Sequence, residues 1–205
     1  MTIDIHSDDA GGDLVALLGS RICHDLISPI GAIANGMELL SMSSAANSAE
    51  MALISESVAA ANARIRFFRV AFGQASAGQT ISMAELLSIT DDLSRGSRTR
   101  ISWTGGATVG RDRAKAIFLA LLCLETAMPW GGEVTITNGT PGWSVTGKAP
   151  RLKEDPPLWQ GLATGLLPET LSAAQIQFSL LATAARRQGK RIAVRRSDGE
   201  IALSL

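Results

Sequence analysis

The sequence predicts an α+β protein in which a helical hairpin over residues 1–77 precedes an α/β sandwich over residues 78–205. As far as Phe72, apolar residues recur every three or four positions, which is the period of an amphipathic helix. The segment GQASAGQT that follows is rich in Gly, Ser, Ala and Gln and has the composition of a linker. Beyond it, alternating segments such as EVTITN indicate strands between helices, which predicts two packed layers.

The first half predicts two long helices. The first runs from Asp13 to Leu40 and carries one apolar stripe: Leu18, Ile22, Leu26, Ile33, Met37 and Leu40. The second begins with Asn47 or Ser48 as its N-cap. Its apolar positions follow a coiled-coil pattern over three heptads: Met51, Ile54, Val58, Ala61, Ile65, Phe68 and Phe72. Because two such stripes facing only each other bury too little, we expect two hairpins to dimerise into a symmetric four-helix bundle.

The second half predicts helices on one face of a mostly antiparallel sheet. Ser82 and Glu85 match a capping box at the start of a helix. A later helix, from Arg111 to Met128, is apolar almost all round and is therefore expected in the core. The elements are, in order, a helix at 82–93, a strand at 98–103, the helix at 111–128, a strand hairpin at 133–147, a helix at 173–187 and a strand hairpin at 191–205.

Charge and hydropathy exclude several classes of function. Lysine plus arginine equals aspartate plus glutamate at 19 each, so the basic surface of a nucleic-acid-binding protein is not expected. No run approaches the roughly 18 consecutive apolar residues of a membrane helix, and the acidic N-terminus has no signal-peptide pattern. Cys23 and Cys123 lie far apart, as reduced thiols do. These features predict a cytoplasmic protein that binds neither nucleic acid nor membrane.

His24 lies on the first helix, in the segment RICHDLISPIGAIANG. At about 100° per residue, its side chain falls opposite the apolar stripe and is expected to face solvent. Arg21, Ser28, Gly31 and Asn35 share this face, and most of their side chains are small. A bulky partner would therefore reach the ring without collision, which predicts a docking surface.

The neighbours of His24 bear on its chemistry. Asp25 offers a carboxylate that would hold one imidazole tautomer or take a proton, leaving the other ring nitrogen nucleophilic. Pro29 lies inside the helix, where it costs stability and frees the carbonyl of Asp25. An isolated exposed histidine is usually only a solvated side chain, which is our interpretation of His6. The combined pattern His-Asp-Leu-x-Ser-Pro-Ile is more specific and favours a reactive His24.

The segment HDLISPI and its hairpin resemble the phosphoacceptor box of the dimerisation and phosphotransfer domain of two-component histidine kinases, over residues 10–75. In order of elements the second half resembles the kinase catalytic domain, a histidine-kinase-like (Bergerat-type) α/β sandwich. Its ATP motifs are missing. The helix at 111–128 carries Glu125 near the place of the nucleotide-binding Asn, and TGKAPRLKEDPP stands where glycine-rich boxes would be.

A kinase-like chain that keeps the phosphoacceptor box and lacks ATP motifs resembles the ChpT-type histidine phosphotransferases of alphaproteobacteria. The resemblance implies that His24 shuttles a phosphoryl group between the receiver domain of a hybrid histidine kinase and receiver aspartates of response regulators. It also implies a homodimer, no cofactor bound by this chain, Mg²⁺ on the partner receiver, and contact of the second domain with the receiver. In the hairpin, Arg64 and Arg66 would lie level with His24, either steadying phosphate charge or as solvated surface cations.

Two other functions fit the same residues. One is an active ATP-dependent kinase with degenerate nucleotide boxes, which would label His24 from ATP. The other is a non-catalytic dimeric adaptor that binds receiver domains without exchanging phosphate. A metal site is not expected, because Cys23 and His24 point about 100° apart on a helix and no second ligand lies one turn away. Glu125 remains open as a cleft residue or as the polar edge of a buried helix.

Overall fold

A computed structural model describes residues 2–4, 10–42, 48–76, 78–95, 97–105, 107–139, 142–153 and 155–205. Its helices are α1 (Ala10–Met42), α2 (Ser48–Ala71), α3 (Met83–Ser94), α4 (Arg111–Ala127), α5 (Pro156–Thr164) and α6 (Ile176–Arg187), with a 3-10 turn at Ala173–Gln175 before α6. Its strands are β1 (Thr2–Asp4), β2 (Thr80–Ser82), β3 (Thr99–Thr104), β4 (Thr108–Gly110), β5 (Gly132–Asn138), β6 (Trp143–Lys148), β7 (Thr170–Ser172), β8 (Ala193–Ser197) and β9 (Glu200–Ser204).

The main sheet has the strand order β3-β5-β6-β9-β8. β3 and β5 are parallel and the other neighbours are antiparallel, so the predicted mostly antiparallel sheet is confirmed. Along β5 the residues Val134 and Ile136 are buried while their neighbours are exposed, the alternation of a sheet covered on one face. The α+β architecture predicted from the sequence is therefore confirmed.

α4 forms the centre of the core. Every residue from Ala116 to Leu124 is buried, because the sheet, α6 and α2 all pack around this helix. Phe118 stacks on Phe67 of α2 with ring centroids 4.8 Å apart, so the hairpin and the sheet share one continuous core. The division of the chain into domains at residue 77 stays a prediction. Residues 72–76, 78 and 79 form an irregular connection between α2 and β2.

One arginine and one lysine of α4 donate hydrogen bonds to carbonyls at the end of α2. Arg111 Nη2 donates to the carbonyl of Arg69 at 2.5 Å, and Lys115 Nζ donates to the carbonyl of Gly73 at 2.9 Å. These carbonyls lie at or after the last turn of α2, where a helix has unsatisfied acceptors and a negative dipole end. Burial, followed by repulsion from Arg187 and Arg111, lowers the pKa of Lys115. These two bonds therefore link the end of α2 to the start of α4.

The two helices of the hairpin approach each other closely at Gly36. A Cβ on this residue would lie 2.6 Å from Cγ1 of Ile54, so a larger side chain would push α1 and α2 apart. Counting back along both helices from this crossing, residue 24 lies level with residue 66, as the antiparallel hairpin predicted. The predicted N-cap Asn47 and the histidine His6 lie outside the described residues.

One copy of the chain leaves part of each predicted stripe uncovered. Met37 of the α1 stripe is exposed, and so are Val58 and Ile65 of the α2 stripe, as expected of two stripes that bury too little by facing only each other. No helix was predicted between the strand hairpin at 133–147 and the helix at 173–187, but α5 begins there at Pro156, a residue type favoured in the first turn. The short strand pairs β2–β4 and β1–β7 were not anticipated.

By length and composition alone, the segment Leu14–Leu40 of α1 is long and apolar enough to cross a membrane. This was not predicted from the sequence, because only uninterrupted runs of apolar residues were counted there. Only 6% of its most hydrophobic window is buried within the structure. The same segment carries Arg21 and Asp25, which form an ion pair of 3.1 Å, and charges inside hydrocarbon are costly. Leu17 also packs on Ile176 of α6, which ties the segment to the rest of the protein.

Cys123 is expected to be unreactive in the folded protein. Burial raises the pKa of its thiol well above the ordinary value, and the nearby Arg21 cation opposes this rise only in part. Since the thiolate is the reactive form, we expect a Cys23→Ser variant to react with a disulfide reagent at pH 8 at least about a hundredfold more slowly when native than in guanidinium. A rapid reaction of the native variant would contradict the buried position of Cys123.

Candidate functional site

His24 presents its imidazole to solvent from the exposed side of α1. The side chain is 85% exposed, which confirms the orientation predicted from the helical period. Its Nδ1 lies 3.1 Å from Oδ1 of Asp25. An ionised carboxylate only accepts hydrogen bonds. In the neutral ring Nδ1 therefore carries the proton and donates a hydrogen bond to Asp25. The lone pair of Nε2 is then left free on the exposed edge of the ring.

Asp25 is held on its other side by Arg21. The Nε of Arg21 donates to Oδ2 of Asp25 at 3.1 Å, one turn away on the same helix. The carboxylate is only 9% exposed and the arginine side chain 13%, so this ion pair is shielded from water. Arg21 Nη1 also donates to the carbonyl of Ala174, in the 3-10 turn before α6, at 3.3 Å. The predicted docking role of Arg21 stays a prediction, and the structure turns its guanidinium inward.

The other residues predicted on this face of α1 lie beyond the imidazole toward the hairpin turn. Ser28 and Asn35 are exposed, and Gly31 between them is half-buried. A Cβ added to Gly31 would meet nothing within 4 Å, so the space next to the helix is open there. The face therefore offers a low surface beside His24, as the sequence indicated, and its use in docking stays a prediction.

A groove of about 930 Å³ runs beside this face, between the hairpin and the α3–α4 side of the core. From α1 it is lined by Asp25, Ser28 and Pro29, the last of which leaves the Asp25 carbonyl without its helical donor. Residues of α2, α3 and α4 line its other sides, among them Ser57, Arg64, Arg66, Asp92 and Glu125. The predicted residues Asp25, Ser28 and Arg64 all line this groove. His24 does not line it but is hydrogen-bonded to Asp25, which does.

The cations on α2 are engaged within this groove. Arg64 Nη1 lies 3.3 Å from both carboxylate oxygens of Glu125, and its guanidinium lies about 6 Å from two phenylalanine rings. Arg66 donates to Asp92 at 2.7 Å and to Ser88 at 3.2 Å. Neither arginine contacts His24 in the described part of the chain. If Arg64 binds a partner as predicted, its guanidinium would therefore have to give up its bond to Glu125 for a bond to that partner.

The carboxylate of Glu125 lines the groove, and the Arg64 cation that faces the groove is paired with it. The expectation that this chain binds no cofactor stays a prediction. The connection that follows β6 bonds back to the end of α4, through the amide of Lys153 and the carbonyl of Ala127 at 2.7 Å. Within the described residues, no group of three or more His, Cys, Asp or Glu side chains comes together as a metal site would need.

Sequence reasoning missed the contacts that reach this site from the C-terminal half. The carbonyl of Ala174 and the amide of Gln177, which donates to it at 2.8 Å, lie about 150 residues away from Arg21 in the chain. A backbone acceptor leaves no mark in a sequence. Gln177 is polar at a position where the helical period of α6 demands an apolar residue, and this is the one signal that was available.

Comparison with known proteins identifies the family of this chain. Residues 83–200 match the family described as histidine phosphotransferase C-terminal domain. Protein phosphotransferase ChpT of Brucella abortus (strain 2308) is 35% identical over 199 residues, covering 94% of each chain. A bacterial phosphotransferase solved at 1.7 Å is 33% identical and superimposes with a TM-score of 0.77, over 93% of this chain and 94% of that one. The chain belongs to the ChpT-type histidine phosphotransferases.

Proposed function

We propose that His24 is the phosphoacceptor of this histidine phosphotransferase and that its Nε2 atom forms the bond to phosphorus. One observation carries the proposal: an exposed imidazole whose Nδ1 proton is bound by a shielded carboxylate at 3.1 Å. That arrangement keeps the outward nitrogen unprotonated while the ring is neutral, which is the state a nucleophile needs. The second histidine, His6, lies in an acidic segment without the HDLISPI pattern.

The transfer needs only the exposed nitrogen and an incoming aspartyl phosphate. The Nε2 lone pair attacks phosphorus, the N–P bond forms as the P–O bond to the receiver carboxylate breaks, and the electron pair leaves on that carboxylate. The ring then carries a positive charge beside its Nδ1 proton, which faces Asp25. In the return step, a carboxylate of a second receiver attacks phosphorus and the N–P electron pair returns to Nε2.

The partners proposed for these steps are the receiver domains of a hybrid histidine kinase and of response regulators in the cytoplasm. Phosphoryl transfer depends mainly on positioning and on neutralising charge. We assign the charge neutralisation to a Mg²⁺ ion held by the receiver, and no cofactor to this chain. Ser28, Gly31 and Asn35 offer a low surface beside His24 on which a receiver would dock. The groove wall, formed by Arg64 of the hairpin and by Asp92 and Glu125 of the second domain, would bring both parts of the chain within reach of that receiver.

We further propose that the active protein is a homodimer in which two hairpins form a four-helix bundle. On α1 the residues Ile27, Ile30 and Met37 are exposed, and on α2 Met51, Val58 and Ile65 are exposed at heptad spacing, all between 41% and 68%. An apolar stripe of this extent at seven-residue intervals is typical of a helical interface. The faces of two copies would cover each other, because each hairpin offers the same stripe to its symmetry mate.

The experiment that tests the function mixes the chain with a receiver domain phosphorylated on its aspartate. We expect an acid-labile, base-stable label on this chain, mapped by mass spectrometry to His24. Incubation with labelled ATP and Mg²⁺, without a receiver, is expected to leave the chain unlabelled, and rapid self-labelling would instead indicate a kinase. Binding of the receiver without any transfer of label would indicate an adaptor.

Asp25→Asn removes the negative charge that faces the phosphorylated ring. Its single amide oxygen can accept from Nδ1 of His24 or from Nε of Arg21, but not from both as the carboxylate does. We expect the single-turnover rate to fall by about tenfold to a hundredfold with the label still on His24. Asp91→Asn, an exposed aspartate on α3, is the matched control and should transfer at the normal rate. An unchanged rate in Asp25→Asn would remove Asp25 from the mechanism.

A further inference from the structure

Arg21 is largely covered, although it lies on the His24 face. Its side chain is only 13% exposed although arginine is long and charged, and its bond to Asp25 is partly buried. A residue that recognises a partner needs free donors at the surface. Arg21 instead donates from Nε to Asp25 at 3.1 Å and from Nη1 to the carbonyl of Ala174 at 3.3 Å.

The carbonyl that receives Arg21 is itself fixed by the core. Gln177 Nε2 donates to Ala174 O at 2.8 Å, to Thr126 Oγ1 at 2.7 Å and to Leu122 O at 3.5 Å. These acceptors surround one nitrogen, so the amide has one orientation, even though Oε1 is buried without a partner in the described part of the chain. Because Thr126 and Leu122 belong to α4, the bond network begins in the central helix of the core.

The network ends at the imidazole. It starts at Thr126 Oγ1 of α4 and runs through Gln177, Ala174, Arg21 and Asp25 to His24. Each link in this series is a hydrogen bond of 3.3 Å or shorter. Without Arg21, the Asp25 carboxylate would lose the bond that fixes Oδ2 and would rotate about its last side-chain bond. Oδ1 would then leave Nδ1 for part of the time, and the neutral ring would mix its two tautomers.

We propose that Arg21 is a positioning residue through which the C-terminal domain holds Asp25, and thereby keeps the Nε2 atom of His24 unprotonated and outward. This rests on the proposed phosphoacceptor role of His24. It also assigns a task to a domain that has no ATP motifs: its core sets the geometry of a reactive histidine on another element. If Arg21 bound the receiver, substituting it would lower the affinity for the receiver. If Arg21 positions Asp25, substituting it lowers the rate of transfer instead.

The test compares Arg21→Gln with Arg111→Gln. Arg111 also links the C-terminal half to the hairpin through a carbonyl, that of Arg69, but touches neither Asp25 nor His24. In protein labelled with ¹⁵N in its histidine rings, His24 being assigned from a His24→Gln spectrum, we expect Nδ1–H as the dominant tautomer in wild type and in Arg111→Gln, and mixed tautomers in Arg21→Gln. Arg21→Lys keeps the charge with one donor group and is expected to fall between the two.

Kinetics supplies the second readout. We expect Arg21→Gln to lower kcat for transfer from a phosphorylated receiver by about tenfold or more with KM unchanged, because a misplaced ring affects only the reacting geometry. An unchanged tautomer, or a raised KM with normal kcat, would overturn the proposal and restore Arg21 as a docking residue. If Arg21→Gln fails to fold, the same criteria apply to Arg21→Lys. The tautomer spectrum needs no receiver, so it decides this proposal even if His24 accepts no phosphate.

Discussion

His24→Gln is expected to abolish phosphoryl acceptance, lowering the single-turnover rate from a phosphorylated receiver by at least about a thousandfold. Glutamine has a similar reach and polarity, but its amide nitrogen has no lone pair available for attack on phosphorus. The imidazole is 85% exposed, and among the described residues its only hydrogen bond is to Asp25, so the free energy of unfolding should change by no more than about 0.5 kcal/mol. Loss of activity would then come from chemistry and not from unfolding.

The other histidine of the chain provides the matched control. His6→Gln changes the same residue type outside the HDLISPI pattern and is expected to accept phosphate at the wild-type rate. Label is followed on denaturing gels after brief mixing, and folding is followed by thermal unfolding of both variants. Retention of acid-labile label in His24→Gln, or its loss in His6→Gln, would move the phosphoacceptor away from His24.

The features that sequence predicted well are those set by local spacing. Apolar residues at three- and four-residue intervals located α1, α2 and α4 to within a few residues, because a helix buries one stripe whatever it packs against. Ser82 caps α3 through the amide of Glu85 at 3.2 Å, as predicted, although only this half of the predicted reciprocal box is formed. The exposure of His24 followed from the same helical period.

What sequence did not predict depends on contacts between distant segments. The helical period shows that a face is apolar but does not show what covers it, so it did not indicate that Met37 would be left exposed within one copy of the chain. Arg21 was read as a surface cation because its partner is a backbone carbonyl that follows β7. Arg64 was placed at the right level of the hairpin, but the carboxylate that engages it, Glu125, comes from a helix 61 residues further along.

Val58→Asp is expected to convert the protein from dimer to monomer. Val58 lies at the centre of the exposed heptad stripe between Met51 and Ile65, so in a bundle its carboxylate would be buried without a partner. An unpaired charge of that kind costs several kcal/mol, which weakens dimerisation by at least about a hundredfold. Light scattering should report twice 21.5 kDa for wild type and 21.5 kDa for the variant.

Leu166→Asp is the matched control for this charge, because Leu166 is an exposed apolar residue after α5 and lies on neither helix of the hairpin. It should remain a dimer, with a thermal midpoint that rises with protein concentration as in wild type, while that of Val58→Asp should not depend on concentration. A monomeric wild type would refute the homodimer. Wild type that sediments with lipid vesicles, and is released from them by Val58→Asp, would assign the apolar face to a membrane, since the same stripe would then be covered by lipid instead of by a second hairpin.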